Sequence, residues 1–196
     1  MSRPDPAATP FAREPRSTNG TLRVFFALWP DADARDRLAA LAREVAARTQ
    51  GRAPPSLNLH VTVAFIGEVD AARIDALRAI GASVAPNVPT FVLTLDRAGT
   101  FRGTGIAWAG ASSSPPPLVE LARSLADALA AHGFPSERRA FSPHVTLARR
   151  CKAPGLAALA APVAWAVTRL ALDVSEPGSA APRYRELASW PLGAPV

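Results

Sequence analysis

Two stretches of this chain are nearly the same: Leu59-His60-Val61-Thr62-Val63-Ala64 and Pro143-His144-Val145-Thr146-Leu147-Ala148, with their histidines about 84 residues apart. Between them they hold two of only three histidines. Side chains on a strand alternate between faces, so as strands His60, Thr62 and Ala64 share one face while Val61, Val63 and Phe65 share the other. The second string divides the same way, with His144, Thr146 and Ala148 against Val145 and Leu147. Each therefore buries an apolar face and presents an imidazole beside a hydroxyl, with a small alanine leaving room for a ligand. A cleft between two similar lobes is the simplest way to make two such faces meet. Beyond these strings the halves align poorly.

The elements around them predict an α+β fold of antiparallel sheets lining a central cleft, with helices packed on the outside. Leu22 to Leu28 reads as a buried strand ended by Trp29-Pro30. Pro30 and Asp31 start a helix over about Asp33 to Thr49, with Leu38, Leu41 and Val45 on one stripe and a stop at Gln50-Gly51. Leu59 to Ile66 is a strand closed by Gly67, and Ala71 to Val84 a second helix carrying Ile74, Leu77 and Ile80. Phe91 to Leu95 and Thr104 to Ala109 alternate and are expected to pair as a hairpin, Gly99 and Gly103 being turn-prone. Proline at 115–117 suits the entry to a helix over Leu118 to Ala131, which His132-Gly133 caps. Strands follow at His144 to Arg149, Val163 to Val174 and Tyr184 to Leu192. Trp108, Trp165 and Trp190 are read as core or rim packing.

A chain of 196 residues that is 48% hydrophobic can bury a real core, and 21–196 reads as one two-lobed domain. Residues 1–20, with Pro4, Pro6, Pro10 and Pro15, lack apolar periodicity and are expected to be a disordered tail. A net charge of +6 favours an anionic partner. The basicity is almost all arginine, Lys152 being the single lysine, and genome composition accounts for that better than phosphate binding does. Cys151 stands alone, which excludes an intrachain disulfide and fits a reducing compartment. Leu22 to Trp29 is short, lacks a small-residue cleavage pattern and runs into charged residues, so it is not read as a signal sequence. No apolar run reaches membrane-spanning length. The expectation is a cytoplasmic monomer that does not engage a membrane.

Histidine titrates near neutral pH, so a matched pair can present one protonated and one neutral imidazole to the same reaction. Beside each, a threonine hydroxyl can donate to a phosphate oxygen. Two copies converging on one phosphorus hold its non-bridging oxygens and put an acid and a base on opposite sides, the geometry of in-line displacement. Arg149 falls on the other face by strict alternation, yet forks onto the anion if the strand ends or twists there. One His-x-Thr is a poor pattern, but two with matched apolar flanks are not a coincidence of composition. His132 has no such string and is read as a helix cap. A metal site from His60, His144 and Cys151 lacks ligand spacing and carboxylate support, so no metal or cofactor is expected.

The duplicated string resembles the signature of the two-histidine phosphoesterase superfamily, and most closely the bacterial and archaeal RNA 2′,3′-cyclic phosphodiesterases, also called 2′-5′ RNA ligases. Similar segments are 22–28, 58–69, 141–149, and Arg183-Tyr184-Arg185-Glu186-Leu187 before Trp190-Pro191-Leu192. The resemblance implies a two-lobed fold and metal-independent hydrolysis of a terminal RNA 2′,3′-cyclic phosphate to a 2′-phosphate. It implies that His60 is the proton donor to the departing 3′ oxygen and His144 the proton acceptor from water. Thr62, Thr146 and Arg149 would hold the phosphate of an RNA or oligonucleotide with a 2′,3′-cyclic end. Valine after Thr62 departs from the commoner leucine, on the buried face. Two enzymatic alternatives keep the pair: a small cyclic nucleotide as substrate, or 2′-5′ linked RNA cut or joined. A non-catalytic RNA-binding module is the rival from another class, and it has no need of acid/base residues. Phe26, Phe141 and Tyr184 are candidates for base stacking.

Overall fold

The computed structural model describes residues 20–135, 141–152, 159, 161–178 and 181–194. The expected N-terminal tail lies outside these, Gly20 excepted. The element order is β1 (Thr21–Leu28), α1 (Ala32–Thr49), β2 (Val61–Asp70), α2 (Ile74–Val84), β3 (Phe91–Leu95), β4 (Arg97–Phe101), β5 (Ile106–Gly110), α3 (Pro116–Ala131), β6 (His144–Ala148), β7 (Val163–Val167), β8 (Arg169–Glu176) and β9 (Arg183–Pro191).

Seven strands form one antiparallel sheet in the order β4-β5-β6-β2-β1-β8-β9, and β3 pairs with β7 separately. This is the expected α+β class. The two strand groups of the large sheet, β4-β5-β6 and β2-β1-β8-β9, are joined by a single ladder pair, Val61 opposite Val145. These are the residues that follow the two histidines, so the seam between the lobes runs through both strings.

Each lobe is covered by a helix delivered from the other. After β1 the chain crosses over, and α1 packs on β6 and β7; after β5, α3 packs on β2 and α2. Asp31 starts α1 by accepting the Ala34 N–H at 2.8 Å, and Gln50 ends it in the left-handed region (φ 53°). The apolar stripe anticipated for α1 holds at Leu38 and Val45, which are buried, while Leu41 is only half-buried. Leu118, Leu121, Leu125 and Leu129 of α3 are all fully buried. His132 closes α3, its ring Nδ1–H donating to the Ala128 carbonyl at 2.8 Å.

Three strand expectations are corrected. β2 does not stop at Gly67 but runs on to Asp70, because glycine at φ +85° lets the ladder with β1 continue through a bulge. The expected hairpin of 91–95 with 104–109 does not form: Phe91 pairs with Val167 on β7, whereas β5 pairs with β4, an unforeseen strand. Gly99 is not a turn residue there; it sits opposite Trp108, and a Cβ at 99 would meet the indole at 2.5 Å. The single strand expected over 163–174 breaks at Thr168 into β7 and β8, which belong to different sheets.

Candidate active site

Pairing of Val61 with Val145 sets the register of the two strings. In an antiparallel ladder their neighbours fall opposite one another, His60 beside Thr146 and Thr62 beside His144. Both valines are fully buried, so all four polar side chains stand on the far face. There they line one cleft of 610 Å³, within the size range of small-ligand sites.

Both imidazoles are fixed by the same local device. The Nδ1–H of His60 donates to the carbonyl of Asn58 at 2.8 Å, and that of His144 donates to the carbonyl of Ser142 at 2.8 Å. A carbonyl oxygen only accepts, so each ring carries its proton on Nδ1 when neutral and leaves Nε2 as its reactive nitrogen. The Nε2 of His60 lies 3.0 Å from the Thr62 hydroxyl, two residues on along the strand. Asn58 is itself anchored: its side-chain amide donates to the Pro182 carbonyl at 2.8 Å, tying the approach to β2 to the β8–β9 connection.

The two histidines differ in surroundings. His60 is walled by aromatic rings, with Phe25 stacked at 5.0 Å, Trp29 at 4.9 Å and the edge of Tyr184 at 5.1 Å. His144 meets the edge of Phe101 at 4.9 Å. Burial holds the His60 imidazole down to about 4 from its ordinary 6.5; the Asn58 carbonyl works against this, and the positive charges of His144 and Arg149 add to it. His60 is therefore neutral in the empty cleft at pH 7.

Strand β6 ends at Ala148, which frees Arg149 from strict alternation. Its backbone pairs with that of Arg52, Arg52 N–H to Arg149 O at 2.7 Å and the reverse at 2.9 Å. Arg150 follows in the left-handed region at φ 59°. Arg52, Arg149 and Arg150 all line the cleft, and no Asp or Glu does so among the described residues. Nor, among the described residues, does any group of three or more His, Cys, Asp and Glu side chains assemble that could hold a metal ion.

Of the stacking candidates, Tyr184 lines the cleft, but Phe26 is fully buried on the opposite face against Trp190 and Phe141 packs against the core. The sequence reading missed Phe25 and Trp29. It also missed Asp173, a buried carboxylate on β8 that accepts the Trp29 indole N–H at 3.0 Å. The available signal was a lone charge within the apolar run Leu170-Ala171-Leu172-Asp173-Val174. Desolvation pushes that carboxyl up to about 6. Phe65 is corrected too. Strict alternation puts it with Val61 and Val63 on the buried face, yet it is 42% exposed and lines the cleft. Val63 is an extra residue in the β1–β2 register between Thr62 and Phe65, and that bulge turns Phe65 to the side of its partner Phe25.

The family model of the 2′-5′ RNA ligase superfamily matches residues 29–177, and the chain belongs to that superfamily. An RNA 2′,3′-cyclic phosphodiesterase of Escherichia coli K12 is 32% identical over 171 residues, 87% of this chain and 96% of the relative. One of Geobacillus stearothermophilus is 32% identical over 178 residues, 81% of this chain and 56% of the relative. The crystal structure of E. coli LigT complexed with 3′-AMP superposes with a TM-score of 0.80 at 32% identity, covering 88% of this chain and 98% of that one.

Proposed function

We propose that the protein hydrolyses RNA 2′,3′-cyclic phosphate ends to 2′-phosphates, with His60 as acid and His144 as base. The observation that carries this reading is the Val61–Val145 pair, which sets two imidazoles and two threonine hydroxyls on one face of an arginine-lined cleft that no Asp or Glu lines among the described residues. The name of the E. coli relative supports the substrate class, and the 3′-AMP in the LigT structure supports a nucleotide phosphate as the ligand of such a cleft.

In this reading Thr62, Thr146 and Arg149 hold the non-bridging phosphate oxygens. Neutral His144 takes a proton at Nε2 from the attacking water as its oxygen bonds to phosphorus. The bond from phosphorus to the 3′ oxygen breaks, and protonated His60 gives that oxygen its proton. One diester and one water become one 2′-phosphomonoester, and the histidines exchange protonation states before the next turnover. Run backwards, the same groups join a 2′ hydroxyl to a phosphate.

Because His60 is neutral in the empty cleft, the substrate anion must recharge it. A negative charge about 4 Å from the imidazolium is worth about 4 kcal/mol at an effective dielectric constant near 20, which offsets the roughly 4 kcal/mol that protonating His60 costs at pH 7. His60→Ala and His144→Ala are each expected to lower kcat by at least about a hundredfold, the usual scale of a lost acid or base, with native circular dichroism. Near-normal turnover in either variant would sink the assignment.

A further inference from the structure

Asp173 has no task in this chemistry, yet it is placed against the wall of the acid. Its partner across the ladder with β1 is Phe25, and residues opposite one another in an antiparallel pair point to the same face. Asp173 therefore stands on the cleft face, 2% exposed, beside the ring that stacks on His60. Ala27 and Ala171, the next pair on that face, are small enough for the Trp29 indole to fold back across them and give its N–H to Asp173 at 3.0 Å. The same indole lies 4.9 Å from the His60 ring. Both ring nitrogens of His60 are engaged elsewhere, with Asn58 and Thr62, so the carboxylate reaches the imidazole through the tryptophan.

Anchoring an indole N–H needs an acceptor, not a charge. Asparagine would accept it without the desolvation that raises the Asp173 carboxyl to about 6. What the charge adds is electronic: a carboxylate on the N–H polarises the indole and makes its face more negative, and that face attracts a cation within about 6 Å. We propose that Asp173 is a positioning residue for the acid, acting through Trp29 to favour the imidazolium form of His60 once the phosphate is bound. This rests on the hydrolytic reading above, in which His60 is the acid and the substrate anion only offsets the cost of charging it. The neighbouring groups do not supply the same help. His144 and Arg149 oppose the imidazolium, and Tyr184 meets it edge-on. Glu186, opposite Asp173 on β9, is held in an ion pair with Arg169 at 2.6 Å.

The test follows the His60 Cε1–H resonance through a pH titration with saturating sulfate, in the wild type, Asp173→Asn, Trp29→Phe and the double variant. Asparagine keeps the acceptor and removes the charge, whereas phenylalanine keeps a ring and removes the N–H. Asp173→Asn should lower the His60 midpoint by about half a pH unit, Trp29→Phe by at least as much, and the double variant no further than Trp29→Phe. In turnover of an RNA 2′,3′-cyclic phosphate, the alkaline limb of the kcat profile should move down by the same interval. That is about a threefold loss of kcat above the midpoint and none on the acid side, where His60 is charged in every variant. Both readouts are positions on the pH axis, which a smaller folded fraction does not move. An unmoved midpoint in Asp173→Asn, or a loss of kcat uniform across the profile, overturns the proposal. So does a shift that Asp173→Asn still produces undiminished in the Trp29→Phe background, since the indole would then not carry it. If His60 stays uncharged with sulfate bound in the wild type itself, the acid assignment has failed and the proposal with it.

Discussion

The charge state of His60 is the sharpest prediction, because its surroundings and its proposed role pull in opposite directions. Burial among Phe25, Trp29 and Tyr184 lowers it to about 4, so at pH 7 roughly one molecule in a thousand carries the imidazolium in an empty cleft. The gap from 6.5 corresponds to roughly 3 kcal/mol, less whatever the open side of the cleft screens. The perturbation is saturation with sulfate, a tetrahedral anion that does not titrate in this range. An anion about 4 Å away at an effective dielectric constant near 20 contributes about 4 kcal/mol, enough to return His60 to 6 or above. The assay is an NMR titration of the imidazole Cε1–H resonances, assigned with His60→Gln, with and without sulfate. By linkage, sulfate should bind more tightly as pH falls from about 6.5 towards 4, with proton uptake. The unliganded fold should lose stability over the same interval, since the unfolded chain there binds the proton the folded one refuses. A His60 that stays below 5 with sulfate bound would refute its role as the acid and reverse the two assignments.

Two further predictions concern stability. The Asp173 carboxyl is raised to about 6 by desolvation, so the folded state holds its proton longer than the unfolded one. Its buried charge destabilises the fold above pH 6, by up to about 3 kcal/mol. Asp173→Asn, which can still accept the Trp29 indole N–H, should therefore gain stability in urea melts at pH 8 relative to pH 4; an equal effect at both pH values contradicts this. Gly81 of α2 abuts the Trp190 ring so closely that a Cβ has no room. Gly81→Ala, ordinarily favourable in a helix by about 1 kcal/mol, should here cost about 1–2 kcal/mol net through overpacking, read as a lowered Tm.

The two strings were legible because a strand period of two needs only local sequence: His60 and Thr62, or His144 and Thr146, share a face whatever the rest of the chain does. Alternation also hid something. It placed Phe65 with the core, and only the long-range ladder with β1, which accommodates Val63 as an extra residue ahead of it, turns it to the cleft. Arg149 escaped alternation for the opposite reason, since β6 stops one residue before it. Strand partners were the least legible feature. Phe91 to Leu95 finds β7 some seventy residues on, not its neighbour β5, because partner choice is decided by which helix covers which lobe. Phe25 and Trp29 had no motif to mark them, their proximity to His60 being set by the path of β1 beside β2.

The most direct measurement is the product of one reaction. The protein, stripped with EDTA and kept metal-free, is incubated with a short RNA ending in a 2′,3′-cyclic phosphate, and the phosphate position in the product is determined. Hydrolysis to a 2′-phosphate, abolished in both His60→Ala and His144→Ala, is the expected result. A 3′-phosphate product, or activity lost with EDTA and regained with a divalent cation, contradicts the acid/base assignment made from the paired strings.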